Sequence, residues 1–327
     1  MAAGAPDPTS GDGPGSVAAG AIDLAIAAGL WGGLYAISSA TFSTIPPITL
    51  NALRLAVGVA VLLVVFRGDL GFRRTAPRRV LLAGVVVAIT MACQFTGTAL
   101  TGAAEAALLT TTTPAFVLLF GVALEGQRVR PAAWLGVAVA LAGVALIAIR
   151  RGGGDPADGA ILGIPSSLVG DLLLIGAAAS WALFSSVGRP LVARVGAFRA
   201  IVQASLVGLV ILLPLVPLEL ARSPIGSVDA TTILAVLYLG IGATSIGWSL
   251  WYRGYASTPA TIAAAAFFTQ PLVGATLGVG FLGETLDFAF LAGAGLIVAG
   301  VLVIVTLGRR TGARPSGTSA TSGVRAA

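Results

Sequence analysis

The chain has 327 residues, 57% of them hydrophobic and 10% charged, with a mean hydropathy of +0.98 and a net charge of +6. No soluble core needs so much apolar sequence in runs this long, so the composition is that of a polytopic membrane protein, and its 19 basic residues, all Arg, sit between apolar runs where orientation in a bilayer accounts for them without nucleic acid. The absence of Lys excludes a Walker A motif, the absence of His excludes an HExxH zinc site and a Ser-His-Asp triad, and the single Cys93 excludes an intrachain disulfide, so no cofactor and no metal are expected.

Residues 1–21 are dominated by Gly, Ala, Pro, Ser and Asp and lack the positive charge of a secretory signal; they are expected to be a disordered cytoplasmic tail. Ten apolar runs follow, near 22–41, 48–66, 80–99, 103–123, 132–149, 170–187, 199–217, 232–252, 260–282 and 288–307. Each approaches the roughly 20 residues that cross a bilayer as a helix. Residues 150–169, rich in Gly, Asp, Pro and Ser, read as an external linker, and 308–327 as a second disordered cytoplasmic tail.

A stretch covering helices four and five recurs in helices nine and ten. Shifted by 157 positions, Thr98–Ile147 falls on Tyr255–Ile304 without a gap. Pro114 then meets Pro271, Gly126 meets Gly283, Gly136 meets Gly293, and Ala142-Gly143-Val144 meets Ala299-Gly300-Val301. Upstream, Leu30-Trp31-Gly32 resembles Ser180-Trp181-Ala182 at an offset of 150. The chain is therefore read as all-α, with ten transmembrane helices in two five-helix repeats, 22–149 and 170–307. Five is odd, so the second repeat enters the membrane from the opposite side, as inverted-topology repeats do. With the N-terminus cytoplasmic, fifteen arginines (67, 73, 74, 78, 79, 128, 130, 189, 194, 199, 253, 309, 310, 314 and 325) face inward. Three (Arg150, Arg151 and Arg222) face outward, and Arg54 lies inside a helix. From that bias both termini are expected in the cytoplasm, and the membrane expected is the cytoplasmic (cell) membrane.

The Leu30-Trp31-Gly32 opening, Leu53-Arg54-Leu55, Ala179-Ser180-Trp181-Ala182, Trp251-Tyr252-Arg253-Gly254-Tyr255-Ala256 and Leu282-Gly283-Glu284 come in order and in duplicate. With them the chain resembles the EamA-type transporters of the drug/metabolite transporter superfamily over nearly all of residues 22–307. The resemblance implies a central cavity lined mainly by helices one, three, four, six, eight and nine, and transport by alternating access. Where such proteins often carry Glu-Pro in helix nine this chain has Gln270-Pro271, and the first-half Leu-Gly-Glu is replaced by Leu124-Glu125-Gly126-Gln127.

Pro114 and Pro271 interrupt helices four and nine at matching places, and polar residues precede each: Thr110 to Thr113, and Thr269-Gln270. Matched interruptions point to a substrate site in a transporter with repeats, or to kinks whose Thr hydroxyls bond their own backbone. The expected substrate-binding residues are Trp31, Gln94, Thr112, Thr113, Trp181, Trp248 and Gln270. Trp134, Trp251, Tyr252 and Tyr255 are expected at the membrane interface. Arg54 and Glu105 are charges at membrane depth, at depths that allow them to pair as a gate, and are expected in coupling or gating; the alternatives are a snorkelling arginine and a first-turn carboxylate. The function expected is secondary active transport, more often export, of a small organic metabolite or drug, with protons as a candidate coupling ion and a homodimer as a candidate assembly. The other readings are a membrane scaffold or sensor, and an intramembrane enzyme acting on lipid-linked groups. The enzyme would need paired acids or a metal triad, and no such set is visible.

Overall fold

In lipid every backbone N–H and C=O must be bonded within its own segment, so apolar runs fold as helices. The computed structural model describes residues 14–65, 69–126, 130–152, 160–161, 163–258 and 260–307. Residues 1–13 and 308–327 of the expected tails, linker residues 153–159 and 162, and Arg67, Gln127 and Arg128 lie outside the described residues.

Helix one runs Pro14–Thr41, starting eight residues ahead of its apolar run, and helix two runs Pro47–Val65. Helix three is Pro77–Thr101. Helix four has two arms, Ala103–Leu109 and Thr113–Glu125, joined by a 3-10 turn at Thr110–Thr112. Helix five is Pro131–Gly152, and a two-rung antiparallel ladder pairs Ala160–Ile161 with Ile164–Pro165 ahead of helix six, Ser166–Val187. A short helix, Arg189–Val195, meets helix seven, Ala197–Leu212, at a 120° bend where Gly196 takes φ +83°. Helix eight spans Ala230–Ser257, with Tyr238–Ile246 wound as π-helix. Helix nine is Ala260–Phe267 plus Thr269–Leu282, and helix ten is Phe288–Leu307.

Among the described residues, eight helices are long and apolar enough to cross a membrane, or nine if the bent pair is one crossing. The apolar part of helix five, Pro131–Ile147, is shorter than the rest. Ten apolar segments are helical in the expected order, but length and composition alone do not qualify all ten as crossings.

The helix contacts have two-fold symmetry. Exchanging the halves turns the pair one–eight into six–three, one–nine into six–four, and two–eight into seven–three, and all six pairs are in contact. Helices four and nine pair with each other, as do five and ten. The five–ten seam gives the direction of the axis. A Cβ on Gly136 would meet the Gly300 carbonyl at 2.7 Å, and one on Gly143 would meet the Gly293 carbonyl at 2.6 Å. Rising residue numbers on one helix meet falling numbers on the other, so the two helices are antiparallel. A two-fold axis that exchanges antiparallel helices is perpendicular to both and so lies in the plane of the membrane. The repeats are inverted.

Glycine is required at this seam because it leaves no room for a Cβ. One added to Gly300 would overlap the Ala140 nitrogen and sit 2.5 Å from the Gly136 carbonyl. Between apolar helices in lipid the hydrophobic effect contributes little, and close backbone contact through small residues supplies the attraction. Gly300→Val should therefore lower the melting temperature of the purified protein, by an overpacking cost of about 1–3 kcal/mol. Gly295→Ala, where nothing lies within 4 Å of an added Cβ, should leave it unchanged.

Candidate functional site

Near the middle of the helices the packing opens into a cavity of about 70 Å³, the space in which the centre of a water molecule can move. Helix one contributes Trp31, Leu34 and Tyr35; helix three Thr90, Met91 and Gln94; helix four Thr110 and Thr113. Helix six contributes Ala177, Ala178 and Trp181, helix eight Trp248, helix nine Phe267 and Gln270, and helix two Arg54. The wall therefore draws on both halves.

Three departures from α-helix shape it. At the 3-10 turn of helix four each Thr hydroxyl bonds its own backbone: Thr111 to Leu108, Thr112 to Leu109, and Thr113 to the carbonyl of Thr110. Thr110 is the residue four before Pro114, so the Thr113 hydroxyl takes the carbonyl whose usual partner proline lacks. Helix nine breaks at Phe268, which turns Gln270 inward. In helix eight the π-winding lets the Ala243 carbonyl accept from Trp31 Nε1 at 2.9 Å and Thr244 Oγ1 accept from Arg54 Nε at 2.8 Å. Such π-turns recur at functional sites.

A chain of hydrogen bonds crosses the cavity wall. Gln94 Nε2 donates to the Tyr35 hydroxyl at 2.7 Å, and the Tyr35 hydroxyl lies 2.8 Å from Thr110 Oγ1. Gln270 Nε2 donates to the same Thr110 oxygen at 3.0 Å and to the Ala107 carbonyl at 3.3 Å. Thr110 donates to the Ala106 carbonyl at 2.8 Å, so Tyr35 is the donor in their shared bond. Helices three, one, four and nine are joined through this one threonine.

The ends of the molecule are fastened differently. At one end Glu284, just before helix ten, accepts the backbone N–H groups of Ala103 at 2.6 Å and Ala104 at 2.9 Å. It thereby caps helix four of the other half, where those N–H groups have no partner within the helix. Glu219, after helix seven, likewise accepts from the N–H groups of Ile48 and Thr49 and from the Thr49 hydroxyl, opening helix two. Asp229 caps its own helix eight. The Thr232 hydroxyl and N–H hold its carboxyl below the usual carboxylate range. At the other end Asp23 and Arg253 form a two-pronged pair with both contacts at 2.6 Å, joining helices one and eight.

The family model for EamA-like transporters matches residues 18–149 and 168–306. The chain belongs to the EamA-like transporter family. Among relatives, a protein of Streptantibioticus cattleyicolor named as a probable terminal-alkyne amino-acid exporter is 30% identical over 276 residues, covering 82% of this chain and 88% of that one. The transporter YetK of Bacillus subtilis is 25% identical, covering 90% and 89%, and the inner membrane transporter YedA of Escherichia coli K12 is 27% identical, covering 86% and 88%. A solved crystal structure superposes with a TM-score of 0.60 at 25% identity, over 91% of this chain and 99% of that one. The protein is thus a multi-pass membrane transporter.

Of the residues singled out in the sequence of this EamA-like transporter, Trp31, Arg54, Gln94, Thr113, Trp181, Trp248 and Gln270 line one cavity. Thr112 is fully buried and turned to its own backbone, and Glu105 is buried in the first turn of helix four. Neither lines the cavity, nor do Pro114 and Pro271, which shape it from behind. Arg54 does not pair with Glu105; its partners are Thr244, the Met91 sulfur at 3.6 Å and the Phe95 ring at 5.3 Å. The ring of Trp251 packs 5.0 Å from that of Trp31 and 5.5 Å from that of Phe267, beside the cavity. Sequence reasoning missed Tyr35, Thr90, Met91 and Thr244. Tyr35 had a signal, being one helical turn beyond Trp31 on the same face.

Two measurements check this geometry. Glu284→Ala should cost about 1–2 kcal/mol through the lost cap and lower the melting temperature. A double-mutant cycle of Tyr35→Phe with Gln94→Leu should give a coupling of about 0.5–1.5 kcal/mol.

Proposed function

We propose that the protein is a secondary transporter that exports a small organic solute across the cytoplasmic membrane by alternating access, binding it in the mid-membrane cavity. The observation that carries this reading is a cavity at mid-helix depth, walled by both inverted repeats and flanked by interrupted helices at matching positions. Such is the architecture of transporters whose halves rock about a fixed site. The exporter name of one relative supports the direction. The arginine bias supports both termini being cytoplasmic, which puts the Glu284 caps at the outer face and the Asp23–Arg253 pair at the inner face. In the cycle we assign, the outer caps hold while solute exchanges with the cytoplasm, and they release when the halves rock outward.

A first test is the melting temperature of the detergent-purified protein against amino acids, nucleobases, sugars and organic cations, since a ligand of the folded state raises it. One chemical class should shift it with dose, and Gln270→Ala should abolish that shift. Flux of the same solute in vesicles then tests transport. An added Cβ on Gly278 lies 3.4 Å from that of Ala104, close to disulfide range once the Glu284 carboxylate, which it would overlap, has moved aside; flux of the reduced double variant is therefore the reference. Ala104→Cys with Gly278→Cys, in a Cys93→Ser background, should therefore cross-link helices four and nine and stop flux, and reductant should restore it. Flux that persists in the oxidised protein would refute movement at this seam. Reporter fusions at the two termini test the orientation.

A further inference from the structure

We infer that the solute carries a carboxylate, received by Arg54, next to an N–H donor and an apolar body. This rests on the cavity being the substrate site. Arg54 is 2% exposed and lines the cavity. Its Nε donates to Thr244 and its Nη1 approaches the Met91 sulfur, a weak acceptor. Nη2 has no hydrogen bond to a described residue, yet it is not among the fully enclosed unbonded atoms. What exposure Arg54 keeps is therefore at the cavity. Among the described residues no carboxylate lies within 4.0 Å of its guanidinium. Among the described residues no Asp or Glu lines the cavity.

A buried cation without a counter-ion is costly at membrane depth. A wall with one positive charge and no negative one repels organic cations and attracts an anion. A guanidinium with free N–H groups matches a carboxylate, which it can hold through two parallel bonds. The rest of the wall completes the outline. Gln270 uses both N–H groups of its Nε2, on Thr110 and the Ala107 carbonyl, and Gln94 uses one of its two, on Tyr35; among the described residues their carbonyl oxygens accept no hydrogen bond. Two free acceptors fit an N–H donor on the solute. Trp31, Trp181 and Trp248 offer rings to an apolar body. Because those acceptors are neutral amides, an acylated nitrogen serves as well as an ammonium.

The probes are matched sets built on valine, leucine, phenylalanine and tryptophan: the free amino acid, its N-acetyl derivative and its carboxamide. Each is titrated against the melting temperature of the wild-type protein in detergent. At least one free acid and its N-acetyl derivative should shift it, and the corresponding carboxamide should bind about tenfold to a hundredfold more weakly. Arg54→Gln should remove the preference for acid over amide, and Arg54→Lys should keep part of it. If either variant fails to fold, the acid–amide comparison on the wild-type protein still decides. A carboxamide or an organic cation that binds as well as the acids would overturn the inference, as would no shift from any acid. Flux separates this idea from the transport reading. An organic cation that binds and is carried would leave a transporter without the proposed specificity. Acids that bind through Arg54 but are not carried would leave the specificity without transport.

Discussion

Everything in this fold depends on helices that can touch backbone to backbone. In lipid two apolar helices gain little by hiding from the solvent, so their attraction comes from close packing. The chain meets that requirement with glycine, placed twice. Gly136 and Gly143 meet Gly300 and Gly293 in the five–ten seam. Gly20 faces Gly254 with Leu24 alongside, and Gly170 faces Gly97 with Leu174 alongside. These last two contacts are images of each other under the same two-fold axis. A repeat in the sequence thus becomes a repeat of contacts, and the antiparallel five–ten seam turns it into an inverted one.

The cavity lies where regular helix gives way. Helix four tightens to 3-10, helix nine breaks, and helix eight widens to π-helix, all at mid-length. Each change leaves backbone groups that need partners away from water. The Thr hydroxyls and Trp31 Nε1 supply them, and Arg54 Nε donates to the Thr244 hydroxyl, which in turn donates to the Leu239 carbonyl. The same adjustments fix the polar lining in place. Thr110 accepts from Tyr35 and Gln270 and donates to its own helix, which holds one oxygen at the meeting of four helices.

The two ends are held by different chemistry. At one, carboxylates of the second half cap helices of the first, so the bonds are to backbone and directional. At the other, a charged pair with Arg253 largely exposed joins two side chains. Exposed pairs contribute little net stability, whereas a lost cap strands buried N–H groups. Opening the capped end therefore breaks more than opening the ion-paired end.

The sequence by itself determined the membrane class, the two repeats and their family, because apolar run length and the spacing of Pro and Gly follow from the bilayer and from the helix backbone. It also picked out Trp31, Gln94, Trp181, Trp248 and Gln270, since polar or aromatic residues in apolar runs are few enough to stand out. Only the tertiary structure decided which of them meet. Thr112 and Thr113 are adjacent and chemically identical, yet only Thr113 reaches the cavity, because the 3-10 turn sets their directions. Arg54 and Glu105 looked like partners by depth, but Arg54 turns to Thr244, which the π-turn of helix eight brings within reach. Depth along a helix is written in the sequence; rotation about its axis, and the local winding that changes it, come from packing against helices of the other half.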